Sequence, residues 1–223
     1  MCGRFTLRTS ARDLVEIFQL LRTLDVPPRY NIAPTQNVLV IRQVNKFREP
    51  SLLRWGLVPS WSKDPKSGPP LINARAETLI EKPTFRSAFS KRRCLIPADG
   101  FYEWKKGEGK TKQPFYIRLV KDEPFAFAGL WEWWKGSDSS AVESCTIVTT
   151  EANSRLRELY DRMPVILHEE DYDRWLDPAL NDAALLQPLL VPFPSEQMTL
   201  YPVSPFVNSS RNDGPTCSER VAI

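Results

Sequence analysis

Apolar residues first recur at helical spacing near the start of the chain. Leu14, Ile17, Phe18 and Leu21 fall at i, i+3, i+4 and i+7, which predicts a helix over 11–22. Ser10, with Asp13 three residues later, resembles a capping box in which Asp replaces the usual Glu. The following VPPRYNIAP (26–34) reads as extended or turn structure, because its three prolines remove donors and restrict their predecessors. β-type runs then succeed one another at Val38–Arg42, Ser51–Leu57, Arg93–Ile96, Phe101–Lys105, Pro114–Leu119, Phe125–Trp131 and Cys145–Thr149. Helices are expected at 151–160, 169–176 and 182–190, and a last short strand at 198–203 before a polar tail at about 209–223. Strands fill the middle and helices the flanks, which predicts a mixed α+β fold around an antiparallel β core.

Composition narrows this picture. A 223-residue chain fits one domain, and at that length roughly 70% of the unfolded surface is buried without need of staples. Twenty prolines against nine glycines suggest short elements joined by rigid turns. No apolar run approaches the ~20 residues of a membrane span, and MCGRFTLRTS lacks the apolar core of a signal peptide. A soluble, cytoplasmic protein is expected, with no membrane partner. Cys2, Cys94, Cys145 and Cys217 lie far apart, with no CxxC pair and a single histidine, which argues against a zinc site or a disulfide framework. Cys94 and Cys145 read as buried thiols and Cys217 as incidental to the polar tail. No metal and no cofactor is expected.

The net charge of +3 is too small to indicate nucleic acid, but its distribution is uneven. Lys91, Arg92 and Arg93 are consecutive, and Lys105, Lys106, Lys110 and Lys112 crowd one segment, where KKGEGKTKQ suits an exposed hairpin loop. Basic clusters interleaved with Trp and Tyr suit phosphates and stacked bases, but from charge alone a solvated face with a lysine-rich turn is the plainer reading.

Four residues could carry chemistry or ligand binding. Initiator methionine is normally removed before a small residue such as Cys2, which would leave an α-amine and a thiol on adjacent carbons. The amine titrates near ~7.7, so a useful fraction is nucleophilic at neutral pH, and with an aldehyde it can give an imine that the thiol closes into a thiazolidine. Taken alone, the dipeptide is also an ordinary second residue. Glu103, between Tyr102 and Trp104, could be desolvated into a general acid or base, or could face water beside Lys105 or Lys106. Asn73 could orient an amine or carbonyl, and Arg75, two residues on, could meet a phosphate bidentately; loop hydrogen bonding is the plainer reading of both.

Together with these residues, MCGRF, RYNIAP (29–34), RWGLVPSW (54–61), LINARAET (71–78), RCLIPADGFYEWKK (93–106), DRMPVIL (161–167) and PVSPFVN (202–208) appear in order along nearly the whole chain. This set of blocks resembles the SRAP family (SOS response-associated peptidases, abasic-site processing proteins). The resemblance implies one SRAP-like domain over 1–223, with a barrel-like β core. It implies a lyase-type enzyme that senses abasic sites in single-stranded DNA, including at single-strand/duplex junctions, and crosslinks to them as a monomer through a thiazolidine. Cys2 would be the nucleophile, Asn73 would position its amine and Glu103 would transfer protons. Arg4, Arg75 and Arg162 would contact phosphates, Trp61 would stack beside bases, and Asn31 and Pro34 would shape the pocket.

One position departs from the family's pattern. Tyr160 stands where relatives usually carry His before the Asp-Arg pair, and the chain's one histidine, His168, lies eight residues later at the expected start of a helix. A phenol with a pKa near ~10 donates a hydrogen bond but is a poor proton shuttle at neutral pH. Two other functions fit the same residues: a thiol peptidase or autopeptidase that attacks an amide through Cys2, and a non-catalytic single-stranded DNA binder.

Overall fold

The computed structural model describes residues 2–65, 68–106 and 112–222. Among the described residues, thirteen strands and four short α-helices follow one another. They are β1 (Phe5–Leu7), α1 (Ala11–Phe18), β2 (Arg29–Ile32), β3 (Asn37–Val44), β4 (Phe47–Trp55), β5 (Asn73–Arg75), α2 (Pro83–Lys91), β6 (Arg93–Ala98) and β7 (Gly100–Lys106). Then come β8 (Lys112–Leu119), β9 (Phe125–Lys135), β10 (Ala141–Glu151), β11 (Arg162–Pro164), β12 (Ile166–Leu167), α3 (Tyr172–Leu176), α4 (Ala183–Leu186) and β13 (Met198–Pro202).

Pairing of β10 with both β4 and β9 closes the ring β4–β3–β6–β9–β10 into a five-stranded barrel. A closed ring leaves no unpaired edge within it. All seven strand runs read from the sequence fall on strands, and the α+β class with a barrel-like core holds. One feature departs from a purely antiparallel core: β4 and β5 both run parallel to β10. This follows from the burial of β10, whose residues Ser144–Thr150 are inaccessible on both faces, a pattern typical of strands covered on two sides.

A second sheet, in the order β13–β8–β7–β1–β2, lies against the barrel. Aromatic side chains make the joint. The Phe5 ring of β1 meets Trp55 of β4 edge-on at 5.2 Å and Phe127 of β9 at 5.8 Å, and Phe101 of β7 meets Phe127 at 6.0 Å. Edge-to-face pairs at this spacing stabilise by about 0.5–1.5 kcal/mol each beyond their area burial. Cys2 sits just before Phe5, so this packing anchors the start of the chain between sheet and barrel.

Four expectations are corrected. The first helix ends at Phe18 rather than residue 22, because Gln19 adopts a left-handed conformation (φ 52°) and Leu21 N–H then bonds the Arg48 carbonyl. Leu21, expected on the buried face, is 53% exposed. The Ser10 cap is present, with its hydroxyl accepting from Asp13 N–H at 3.2 Å. No helix forms over 151–160: β10 continues to Glu151, the Asn153 side chain takes the Leu156 N–H at 3.0 Å, and the Ala152 N–H goes to Asp161. Local side-chain bonding of this kind competes with helix. Arg93 is no part of a basic face; its buried guanidinium donates to the carbonyls of Phe89, Ser90, Trp175, Asp177 and Leu180, and burial lowers its pKa to about 10. Cys217 is not incidental, being fully buried with Tyr102, Tyr116, Val203 and Val207.

The helix expected at 169–176 appears as a 3-10 turn followed by α3, and that at 182–190 as α4 followed by another 3-10 turn. Missed in the sequence was α2, although Pro83 at its first turn and buried Phe85, Ala88 and Phe89 at i, i+3 and i+4 carry the signal. Met1, Lys110 and the loop expected around it lie outside the described residues. No helix among the described residues is long and apolar enough to cross a membrane.

Candidate active site

Cys2, Asn73 and Glu103 reach one place from three elements. Cys2 leads into β1, which pairs with β7, and the β7 residue Tyr102 donates its N–H to the Arg4 carbonyl at 3.0 Å. Glu103, next along β7, is 4% exposed. From the barrel side, β5 lies along β10 with Asn73 opposite Ile147. The Asn73 amide donates to the Cys2 carbonyl at 2.9 Å, which ties the N-terminal segment of the second sheet to the barrel. Its Oδ1 is buried and accepts no hydrogen bond among the described residues. A buried acceptor left open on a residue whose other end is committed is a position prepared for an N–H or O–H.

Burial sets the protonation of this cluster. Desolvation pushes the Glu103 carboxyl above the ordinary carboxylate range, and the charge of Asp161 pushes in the same direction. The Cys2 thiol is raised further, first by complete burial and then by the negative charge of Glu103. Its Sγ lies 3.9 Å from the Arg4 carbonyl. A thiol held in its neutral form is a weak starting nucleophile, so in this pocket the sulfur is suited to a second step rather than a first.

The remaining residues divide into buried supports and exposed surface. Arg4 donates to Asn31 Oδ1 (2.8 Å), the Val207 carbonyl (2.9 Å) and the Asn208 carbonyl (3.1 Å). Asn31 is fully buried and its Nδ2 donates to the carbonyls of Val207, Ser209 and Asn212. Pro34 is half-buried in the turn after β2. Trp61 is 68% exposed, on a loop held by the Trp134 indole N–H donating to the Ser62 carbonyl at 2.7 Å. Arg75 is exposed, whereas Arg162 is bound bidentately by Glu77 at 2.7 and 2.9 Å. Tyr160 is 37% exposed and precedes the Asp161 whose charge reaches Glu103. His168 stacks on Phe193 at 4.8 Å and caps the turn before α3.

Sequence reading overlooked the supports. Asp213 binds the Tyr30 N–H (2.6 Å), the Asn31 N–H (3.1 Å) and Arg29 Nε (2.6 Å), and the Trp104 indole N–H donates to Asn208 Oδ1 at 2.7 Å. An Asx-rich turn in a polar stretch looks the same whether it is solvated or docked, so no local signal distinguishes them. Among the described residues no group of three or more His, Cys, Asp or Glu side chains is arranged to hold a metal ion.

Comparisons with known proteins identify the family of the chain. The SOS response associated peptidase (SRAP) family matches residues 1–210. The abasic site processing protein YoqW of Bacillus subtilis (strain 168) is 46% identical over 222 residues, covering 98% of this chain and 99% of that protein. The abasic site processing protein HMCES of Xenopus tropicalis is 31% identical over 227 residues, covering 88% of this chain and 67% of its own length. Among solved structures, a protein from Bacteroides thetaiotaomicron superposes with a TM-score of 0.88 at 28% identity, over 99% of this chain and 100% of that one.

Proposed function

The chain belongs to the SRAP family, and on that footing we propose that it processes abasic sites in single-stranded DNA by forming a covalent crosslink through Cys2. The observation that carries this reading is the Asn73 amide, which holds the Cys2 carbonyl and keeps a second polar atom open beside it.

The chemistry follows from the order of nucleophiles. With Met1 removed, the neutral α-amine of Cys2 attacks the C1′ aldehyde of the ring-opened sugar. The carbinolamine loses one water to give an imine. The Sγ–H then adds across the C=N bond: sulfur bonds to carbon, the proton passes to nitrogen, and a five-membered thiazolidine closes. One water is released overall and nothing is oxidised or reduced. Glu103, kept protonated to higher pH by burial, is suited to protonate the sugar ring oxygen during opening and the departing hydroxyl during imine formation. Asn73 Oδ1 accepts an amine hydrogen and aims the lone pair.

The high pKa of the Cys2 thiol favours this amine-first route over a thiol peptidase, which depends on a thiolate or an adjacent base. DNA would meet exposed Arg75, with Arg162 in the same groove, as phosphate contacts, and exposed Trp61 as a base contact. Arg4 and Asn31 act from beneath, and Pro34 shapes the pocket wall. Tyr160 lies next in sequence to Asp161, whose charge acts on Glu103.

The test is incubation with an abasic single strand, followed by denaturing electrophoresis and intact-mass measurement. Wild-type protein is expected to give a stable adduct on the Met1-free form. Cys2→Ala is expected to give none while still binding undamaged strands, and Cys2→Ser to give an adduct only after reductive trapping. A stable adduct from Cys2→Ala at wild-type yield overturns the mechanism. Peptide turnover without DNA capture would support the peptidase instead, and salt-sensitive binding with no covalent band would leave a plain single-strand binder.

A further inference from the structure

Arg162 is the less accessible of the two arginines beside the site, and its fork is already filled. Both Nη atoms of Arg162 donate to the two carboxylate oxygens of Glu77, at 2.7 and 2.9 Å, and Nη2 also donates to the Thr149 carbonyl at 2.8 Å. Arg162 Nε is buried without a partner among the described residues. The arginine side chain is 14% exposed and the glutamate 50%, so the cation is fixed in place while the anion lies at the water's edge. The Arg162 hydrogen bond lowers the Glu77 pKa, which keeps the pair charged through the neutral range.

The pair has a specific location. Arg75 on β5 lies opposite Thr149 of β10, and Arg162 on β11 lies opposite Glu151 of the same strand. The two arginines therefore flank the end of β10, two residues beyond Asn73, and face an open groove of about 650 Å³ that also includes Thr78 and Val191. The groove holds two arginines and two glutamates, Glu77 and Glu151, and so carries no net positive charge despite adjoining a proposed DNA site.

A carboxylate bound side-on to a guanidinium presents two oxygens where a phosphodiester would present its own two. From this geometry we infer that Glu77 is a built-in competitor of the DNA backbone: it occupies the Arg162 fork in the free protein and yields it to a phosphate when a strand enters the groove. This inference rests on the proposed DNA-processing function. The exchange conserves charge at Arg162, and the displaced carboxylate, already half exposed, turns into water. Thr149 and the buried guanidinium stem hold Arg162 still throughout. The consequence is selectivity by weakness. Undamaged strands gain little at Arg162, because a phosphate there must first displace an anion, whereas an abasic strand is retained by the covalent bond at Cys2.

The test uses wild type, Glu77→Gln, Glu77→Ala, Arg162→Ala and Glu77→Gln/Arg162→Ala. Each is measured for binding of an undamaged fluorescent single strand across a salt series, with melting curves to confirm folding. Both Glu77 variants are expected to bind about 2- to 10-fold more tightly than wild type. They are also expected to steepen the dependence of log K on log salt by roughly 0.7, the increment of one added phosphate contact on a single strand. The double variant is expected to lose both gains. Unchanged or weaker binding by folded Glu77→Gln and Glu77→Ala overturns the inference and makes Glu77 a support for Arg162. Covalent capture of an abasic strand by wild type, read in parallel on a denaturing gel, reports separately on the parent function.

Discussion

The side-chain amide of Asn73 donates a 2.9 Å hydrogen bond to the backbone carbonyl of Cys2, joining residues 71 positions apart in sequence. One end of a short amide thus fixes the Cys2 backbone, and the other end, Oδ1, stays open in a buried site. Orientation of a reacting amine is worth much in rate, since a displacement of about 1 Å can cost on the order of 10²-fold.

Asn73→Ala is therefore expected to slow single-turnover adduct formation by about 10²-fold, with affinity for undamaged single strands essentially unchanged. Asn73→Asp keeps the acceptor but loses the donor and adds an anion beside Glu103, so no rescue is expected from it. Stopped reactions on denaturing gels give the rate; an Asn73→Ala rate equal to wild type would show that the Cys2 backbone is held by other contacts.

Arg4 and Arg75 look alike in sequence and differ in structure. Arg4 joins Asn31 and the carbonyls of Val207 and Asn208, while Arg75 stands exposed over the groove. Arg75→Ala is expected to flatten the salt dependence of single-strand binding by roughly 0.7 in slope, without change in melting temperature. Arg4→Ala strands the buried Asn31 Oδ1, while the Val207 carbonyl keeps the Asn31 amide; one unsatisfied buried group costs about 1–3 kcal/mol, so the melting temperature is expected to fall by several degrees. Equal melting curves for the two variants would overturn this division.

Much of the site was legible because chemistry constrains residue type. Cys2, Asn73 and Glu103 were each nameable, and the seven β-type runs fell on strands. What pattern could not supply was the partner of each polar group. Arg93 sits in a basic triplet and reads as surface, yet its five donors meet five carbonyls that only the folded chain assembles. The segment around Asp213 reads as a polar tail, yet it satisfies the edge strand β2 and pairs with Arg29. The 151–160 segment has helical composition, and Asn153 captures the backbone that a helix would have used. In each case a long-range hydrogen bond decides what local composition leaves open.

Burial raises the Glu103 pKa above its value in an unfolded chain, so the ionised carboxylate is the destabilising form. The sign follows directly. Stability contributed by neutral Glu103 is complete below the unfolded pKa and is lost as pH rises through the folded one. At neutral pH Glu103→Gln removes that loss and is expected to melt higher than wild type, by about 2–4 °C per kcal/mol relieved, with the difference shrinking toward pH 4. The same substitution removes the proton donor and is expected to slow crosslinking by about 10²- to 10⁴-fold. A variant both less stable and equally fast would show that Glu103 is neither strained nor catalytic.

Tyr160, where the family resemblance leads one to expect histidine, precedes the Asp161 whose charge acts on Glu103. Ring opening of the sugar and reopening of the thiazolidine both move protons on oxygen or sulfur. A neutral imidazole accepts and returns such protons near neutral pH, whereas a phenol there mainly donates a hydrogen bond. In the proposed mechanism proton transfer falls to Glu103 alone, so Tyr160→His is expected to accelerate adduct formation or release by at least about 10-fold. Partial exposure of the side chain, at 37%, gives an imidazole room and water without disturbing the core. The gain should appear as pH rises through roughly 6.5, where an ordinary histidine loses its proton, and should be small below that. Single-turnover formation and release measured across that range for both proteins decides the matter. Superimposable profiles would mean that this position carries no proton and that Glu103 performs every transfer.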